Sequence, residues 1–146
     1  MRLLERIPRA LARLARIRSE LSLVAGAPPR ELARELVGAL GAVLAAERAR
    51  ALPARAALTT MRSLGKERQE RSPVERARLR RVVRWADALI PPGPNCYRRV
   101  LAESALDRGA AMDLVVLGLD VGRTGHAFFR SDPEPPPSRY DVEFEV

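Results

Sequence analysis

Residues 112–119, Met112-Asp113-Leu114-Val115-Val116-Leu117-Gly118-Leu119, break the rhythm of a chain that otherwise reads as helix. The run is short, branched and apolar, so it reads as a strand buried on both faces. The remainder of the chain keeps the new period. Residues 125–130, Gly125-His126-Ala127-Phe128-Phe129-Arg130, read as a second strand. Residues 139–146 set Tyr140, Val142, Phe144 and Val146 against Asp141, Glu143 and Glu145, the alternation of a half-buried last strand. Between them, Pro133, Pro135, Pro136 and Pro137 cannot pair in a sheet centre and mark a loop. Helices first and a small antiparallel sheet last make the expected class α+β.

Upstream of residue 112 the apolar step is three or four. A helix over residues 96–108 has Asn95 as its cap and Gly109 as its stop. Ser72-Pro73-Val74-Glu75 announces the helix before it: serine caps, proline suits the first position, and glutamate completes a capping box. That helix ends at Pro91-Pro92-Gly93-Pro94, which leads straight into Asn95-Cys96. Further back, residues 54–64 read as a short helix stopped at Gly65. Residues 30–51 read as a longer one with Leu32, Leu36, Leu40, Val43 and Leu44 as its apolar stripe. Leu3, Leu4, Ile7, Leu11, Leu14 and Leu21 form one face of an amphipathic first helix, with arginines opposite. The polar stretch 66–71 is the natural linker. The expected organisation is a helical region over residues 1–70 and a core over residues 71–146.

Composition narrows the function. The chain has 146 residues and a formal charge of +8, and arginine supplies all but one of its 26 basic side chains. Residues 1–110 hold 23 basic and 11 acidic side chains, net +12; residues 111–146 hold 3 and 7, net −4. A basic front half attracts nucleic acid, anionic lipid or acidic peptide, although a solvated arginine-rich surface has the same composition. Stacking aromatics of the kind single-strand binders use are missing, and so is a Gly-rich phosphate loop, so no nucleic-acid partner is expected. One cysteine excludes an internal disulfide and a multi-cysteine metal site. No metal and no cofactor are expected. The longest apolar run, residues 36–46, is too short to span a bilayer, and arginines interrupt any secretory h-region near the amino end. Stable membrane insertion is therefore not expected, and the cytoplasm is the natural compartment.

The chemistry concentrates on two single-copy residues, Cys96 and His126. Cys96 falls in the first turn of a helix, where unpaired N–H groups and the positive end of the dipole favour a thiolate and can later hold an oxyanion. His126 is then the base that takes the thiol proton and the acid that returns it to a leaving group. Asp141, fifteen residues after His126 and early on what should be the adjoining strand, is the first choice to orient the imidazole. Asp132, in the proline loop, is the rival, and Glu143 is third. The plainer readings are a buried structural thiol and a structural histidine.

The residues carrying this constellation resemble a known family. Asn95-Cys96-Tyr97-Arg98-Arg99-Val100-Leu101, then Leu106-Asp107-Arg108-Gly109, the apolar run to Gly118 and Gly125-His126-Ala127-Phe128 are similar to the transglutaminase-like leader peptidases of lasso-peptide biosynthesis. That is the family of the C-terminal domain of the microcin-processing protein. The resemblance covers roughly residues 82–129. Phe128 stands where the family usually has tryptophan, and Phe129-Arg130 replaces the common Val-Glu.

The resemblance implies a papain-like cysteine protease core, with Cys96 as nucleophile, His126 as base and Asp141 as the third member by position. It also implies an activity: removal of the leader from a ribosomally made precursor peptide through a Cys96 thioester. In this family the leader is often bound by a separate small domain. Residues 1–70 show no period-2 strands of the kind such a domain needs, so the expected partners are a separate leader-binding protein and a peptide cyclase acting next. Two alternatives use the same fold: an inactive peptide-binding scaffold, and an acyl transferase that resolves the thioester with an amine.

Overall fold

The computed structural model describes residues 26–119, 125–132 and 142–146. Two compact units make up the chain, Met1–Arg34 and Glu35–Val146, and the second carries the site. The amphipathic helix expected over residues 3–21 lies outside the described residues.

Five helices and three strands occur among the described residues, which makes the class α+β: α1 (Pro29–Ala49), α2 (Ala54–Lys66), α3 (Pro73–Ala88), α4 (Cys96–Leu106), α5 (Arg108–Met112), β1 (Val115–Leu119), β2 (Gly125–Phe129) and β3 (Val142–Glu145). In α1 the buried side is made of small residues, Ala39, Ala42, Val43 and Ala46, while Leu44 of the expected leucine stripe stays 47% exposed. Small side chains let the helix approach its neighbours closely, and that outweighs the larger apolar area of leucine at this contact.

Gly65 does not stop α2, which continues to Lys66. A Cβ on Gly65 would lie 1.9 Å from the Ser104 carbonyl oxygen of α4, so the glycine marks the closest approach of two packed helices. Helix α3 begins as expected. The Ser72 hydroxyl accepts from the Glu75 N–H at 3.4 Å, and the Glu75 carboxylate accepts from the Ser72 N–H at 2.9 Å.

The expected stop at Gly109 is also corrected. Helix α4 ends at Leu106, and Asp107 caps a separate short helix in which Gly109 is an interior residue. Fully buried Asp107 accepts from the Ala110 N–H and the Arg71 N–H, each at 3.0 Å, and this double acceptance fixes the break. Met112 accordingly ends α5 and is no part of the strand, which begins at Val115.

The sheet is antiparallel with strand order β2-β1-β3. Strand β3 therefore adjoins β1, and the expected adjacency of the last strand to the histidine strand is overturned. Gly118 pairs with His126 on one side and with Glu143 on the other. Arg62 of α2 ties this corner to the helices, donating to the carbonyls of Asp113 (2.7 Å) and Val146 (2.9 Å). Strand β2 lies against α4, and Phe129, Val115 and Val116 join Val100 and Leu101 in the core. Each such side chain stabilises the fold by about 1.5–3 kcal/mol relative to exposure.

Candidate active site

Cys96 is positioned by a buried ionic knot beneath the proline loop. Asp87, near the end of α3, and Arg98, in the first turn of α4, are both fully buried and form an ion pair through Arg98 Nε. The other Asp87 oxygen accepts from the Asn95 N–H at 2.8 Å. Arg98 also donates to the carbonyls of Gly93 (2.6 Å) and Asp87 (3.1 Å) and to the Glu47 carboxylate of α1 (2.9 Å). Gly93, at φ 137°, supplies the backbone conformation that lets the loop turn its carbonyl onto Arg98. Asn95 is the cap: its side-chain oxygen accepts from the Arg98 N–H at 2.9 Å. Cys96 is the first residue of the helix, half-buried, with a free thiol.

The thiol points at the histidine strand. Cys96 Sγ donates to the Gly125 carbonyl at 3.6 Å, the residue immediately before His126. Alternation along β2 buries Ala127 and Phe129 and leaves His126 and Phe128 half-buried on the other face. Cys96 and His126 line one open cleft of about 290 Å³ between α3, α4 and β2. A helix-borne thiol and a strand-borne imidazole sharing a cleft is the arrangement that thiol nucleophiles use.

The expected third member, Asp141, lies outside the described residues. Glu143 holds the register position across β1 from His126, with Gly118 between them. Asp132 lines the cleft, but its carboxylate is already engaged: one oxygen accepts from the Phe129 N–H at 3.0 Å and the other pairs with Arg80.

Four further residues line the cleft without having been singled out in the sequence: Arg80 and Arg84 of α3, and Arg99 and Glu103 of α4. Arg99 is one turn beyond Cys96 and Glu103 two turns beyond, so the spacing places all three on one side of α4. That spacing was the signal available. Glu103 is 8% exposed, and its nearest cation, Arg80 Nε, stands 3.5 Å away. Burial pushes its carboxyl up to about 7; the Arg80 charge opposes the shift and the Asp132 charge adds to it. A carboxyl that titrates near neutrality in a cleft beside a thiol and an imidazole is a functional candidate in its own right.

Among the described residues, no group of three His, Cys, Asp or Glu side chains is placed to hold a metal ion, and no helix is long and apolar enough to cross a membrane. No family model, curated protein or solved structure matches the chain.

Proposed function

We propose that the protein is a cysteine peptidase with a papain-like, transglutaminase-like core that removes the leader from a ribosomally made, lasso-type precursor peptide. The observation that carries the reading is the seat of Cys96. A thiol in the first turn of a capped helix lies 3.6 Å from the carbonyl that precedes His126, and both residues line the same cleft. The substrate class comes from the resemblance of residues 95–101, 106–118 and 125–128 to the leader peptidases.

In this mechanism His126 takes the Cys96 proton, and the thiolate sulfur attacks the scissile carbonyl carbon. Charge develops on the carbonyl oxygen, and backbone N–H groups in the first turn of α4 are the proposed donors for it. Collapse breaks the C–N bond, the His126 proton passes to the departing amine, and an acyl thioester remains on Cys96. Water, giving a proton to His126, then releases the carboxylate and restores the thiol. Asp141 is the proposed orienting group for the imidazole, since the Asp132 carboxylate is already held by Arg80 and the Phe129 N–H. A separate leader-binding protein is the proposed partner for leader recognition. A peptide cyclase then acts on the amine that cleavage frees.

Replacing Cys96 with Ala tests the assignment. With precursor and leader-binding protein present, leader removal should fall by about a thousandfold or more. Undiminished cleavage ends the nucleophile assignment.

A further inference from the structure

Among the described residues, the cleft carries more cationic groups than carboxylates. Three guanidinium groups line it, those of Arg80, Arg84 and Arg99. Against them stand two described carboxylates, Asp132 and the buried Glu103, whose carboxyl burial pushes up to about 7. Arg80 is committed to both, at 3.5 Å from Glu103 and in close contact with Asp132. Arg99 Nε reaches only to 3.7 Å from an Asp87 oxygen that already accepts the Asn95 N–H at 2.8 Å. Its side chain is 31% exposed, and the planar fork has further N–H donors to offer. Arg84, one turn beyond Arg80 and exposed, makes no ion pair among the described residues. Arginine-rich surface is plentiful on this chain, but a solvated surface has no reason to gather guanidinium groups from two helices around a thiol.

We infer that this cleft selects a peptide by a carboxylate close to the scissile bond, held by Arg84 and Arg99 beside Cys96. Guanidinium forks match carboxylates two N–H bonds at a time, and a cleft with one excess sign of charge concentrates the opposite sign. The peptide as ligand rests on the peptidase reading, whereas the preference for an anion at Cys96 has a test of its own. The carboxylate is that of an acidic side chain or of a free chain end; the chemistry is shared.

The single cysteine makes the experiment clean. Alkylation of the intact chain by iodoacetate, an anion, and by iodoacetamide, its neutral isostere, is followed by mass. The iodoacetate-to-iodoacetamide rate ratio at Cys96 should exceed that of a free model thiol by about tenfold and shrink as salt is added. The double replacement Arg84→Gln with Arg99→Gln should return the ratio toward the model thiol. Arg84→Lys with Arg99→Lys, which keeps both charges, should retain most of it. A ratio equal to that of the model thiol, or one that the glutamine pair leaves unchanged, overturns the inference. A raised ratio at a thiol slow toward both reagents counts against the peptidase reading alone.

A second arm identifies the source. Short blocked peptides carrying one Asp or Glu, their Asn or Gln counterparts, and a neutral peptide with a free carboxyl end compete for Cys96 against iodoacetamide. At least one carboxylate peptide should protect at a concentration about fivefold lower than the amides, and which one does so names the carboxylate. Equal protection by all of them overturns the inference.

Discussion

Two buried carboxylates, seated on neighbouring helices, have opposite circumstances. Asp87 is fully buried and surrounded by donors: Arg98 Nε on one oxygen, the Asn95 N–H on the other, and Arg99 at 3.7 Å. Glu103 is nearly as buried and meets one cation at 3.5 Å, with its carboxyl pushed up to about 7. The first arrangement compensates the desolvation of its charge, so the group serves architecture. The second leaves that cost partly standing, and a group in that condition changes protonation near neutral pH. What separates them is the supply of hydrogen-bond donors, since depth is similar. The satisfied carboxylate holds the loop that delivers Cys96, and the under-satisfied one faces the cleft that Cys96 lines.

The largest effect should come from removing the satisfied group. Asp87→Ala leaves the Arg98 guanidinium buried beside backbone carbonyls and a single carboxylate, Glu47. Breaking a buried pair in this way costs about 3–5 kcal/mol, to be read from the denaturant midpoint. Replacing both partners with apolar residues, Asp87→Leu with Arg98→Met, should cost less than the single change, since no charge is then stranded. A single-variant loss below about 1 kcal/mol would erase the distinction between the two carboxylates.

The next effect depends on pH and concerns Glu103. Its folded-state pKa of about 7 lies above the ordinary glutamate value of 4.5, so the folded chain holds the proton more tightly than the unfolded chain. Stability associated with this group is full below about pH 4.5, falls as pH rises toward 7, and is level beyond; the total change is on the order of 3 kcal/mol. Glu103→Gln removes the titration. The variant and the parent chain should match near pH 4, and the variant should be the more stable above pH 7, by up to that amount. Parallel stability–pH curves for the two proteins would show that Glu103 is as well compensated as Asp87.

The contrast also explains how much the sequence disclosed. Features fixed by neighbours in the chain were readable: the Ser72–Glu75 capping box and the Asn95 cap depend on residues at most three apart. That Cys96 and His126 come to one cleft could be anticipated because each residue type occurs once and each sits near the start of an element. Features fixed at long range were not. Gly109 looked like a helix stop because nothing local reveals that Asp107 captures the Arg71 N–H, thirty-six residues away, and restarts a helix. The place of β3 on the far side of β1 is fixed by its backbone ladder with β1 and the Arg62 bond to the Val146 carbonyl, neither of which an alternation of apolar residues encodes. Arg80 and Arg84 resembled any charged helix face. Only the packing of α3 beside α4 turns them toward the thiol.

The smallest effect separates holding Cys96 from charging it. Asn95→Ala removes the oxygen that accepts the Arg98 N–H at 2.9 Å, and cap losses of this kind cost about 1 kcal/mol. Asn95→Asp keeps an acceptor in the same place, so stability should stay within about 0.5 kcal/mol of the parent. It also sets a negative charge next to the thiol in the first turn of α4, where a thiolate must compete with it. If the helix start activates Cys96 through its electrostatics, Asn95→Asp should slow iodoacetamide alkylation more than Asn95→Ala does, despite being the more stable protein. If the knot of Asp87 and Arg98 matters only by fixing the geometry of the loop, alkylation should follow stability and the order reverses. The two variants thus decide whether the architectural carboxylate and its cap merely place the Cys96 thiol or also tune it.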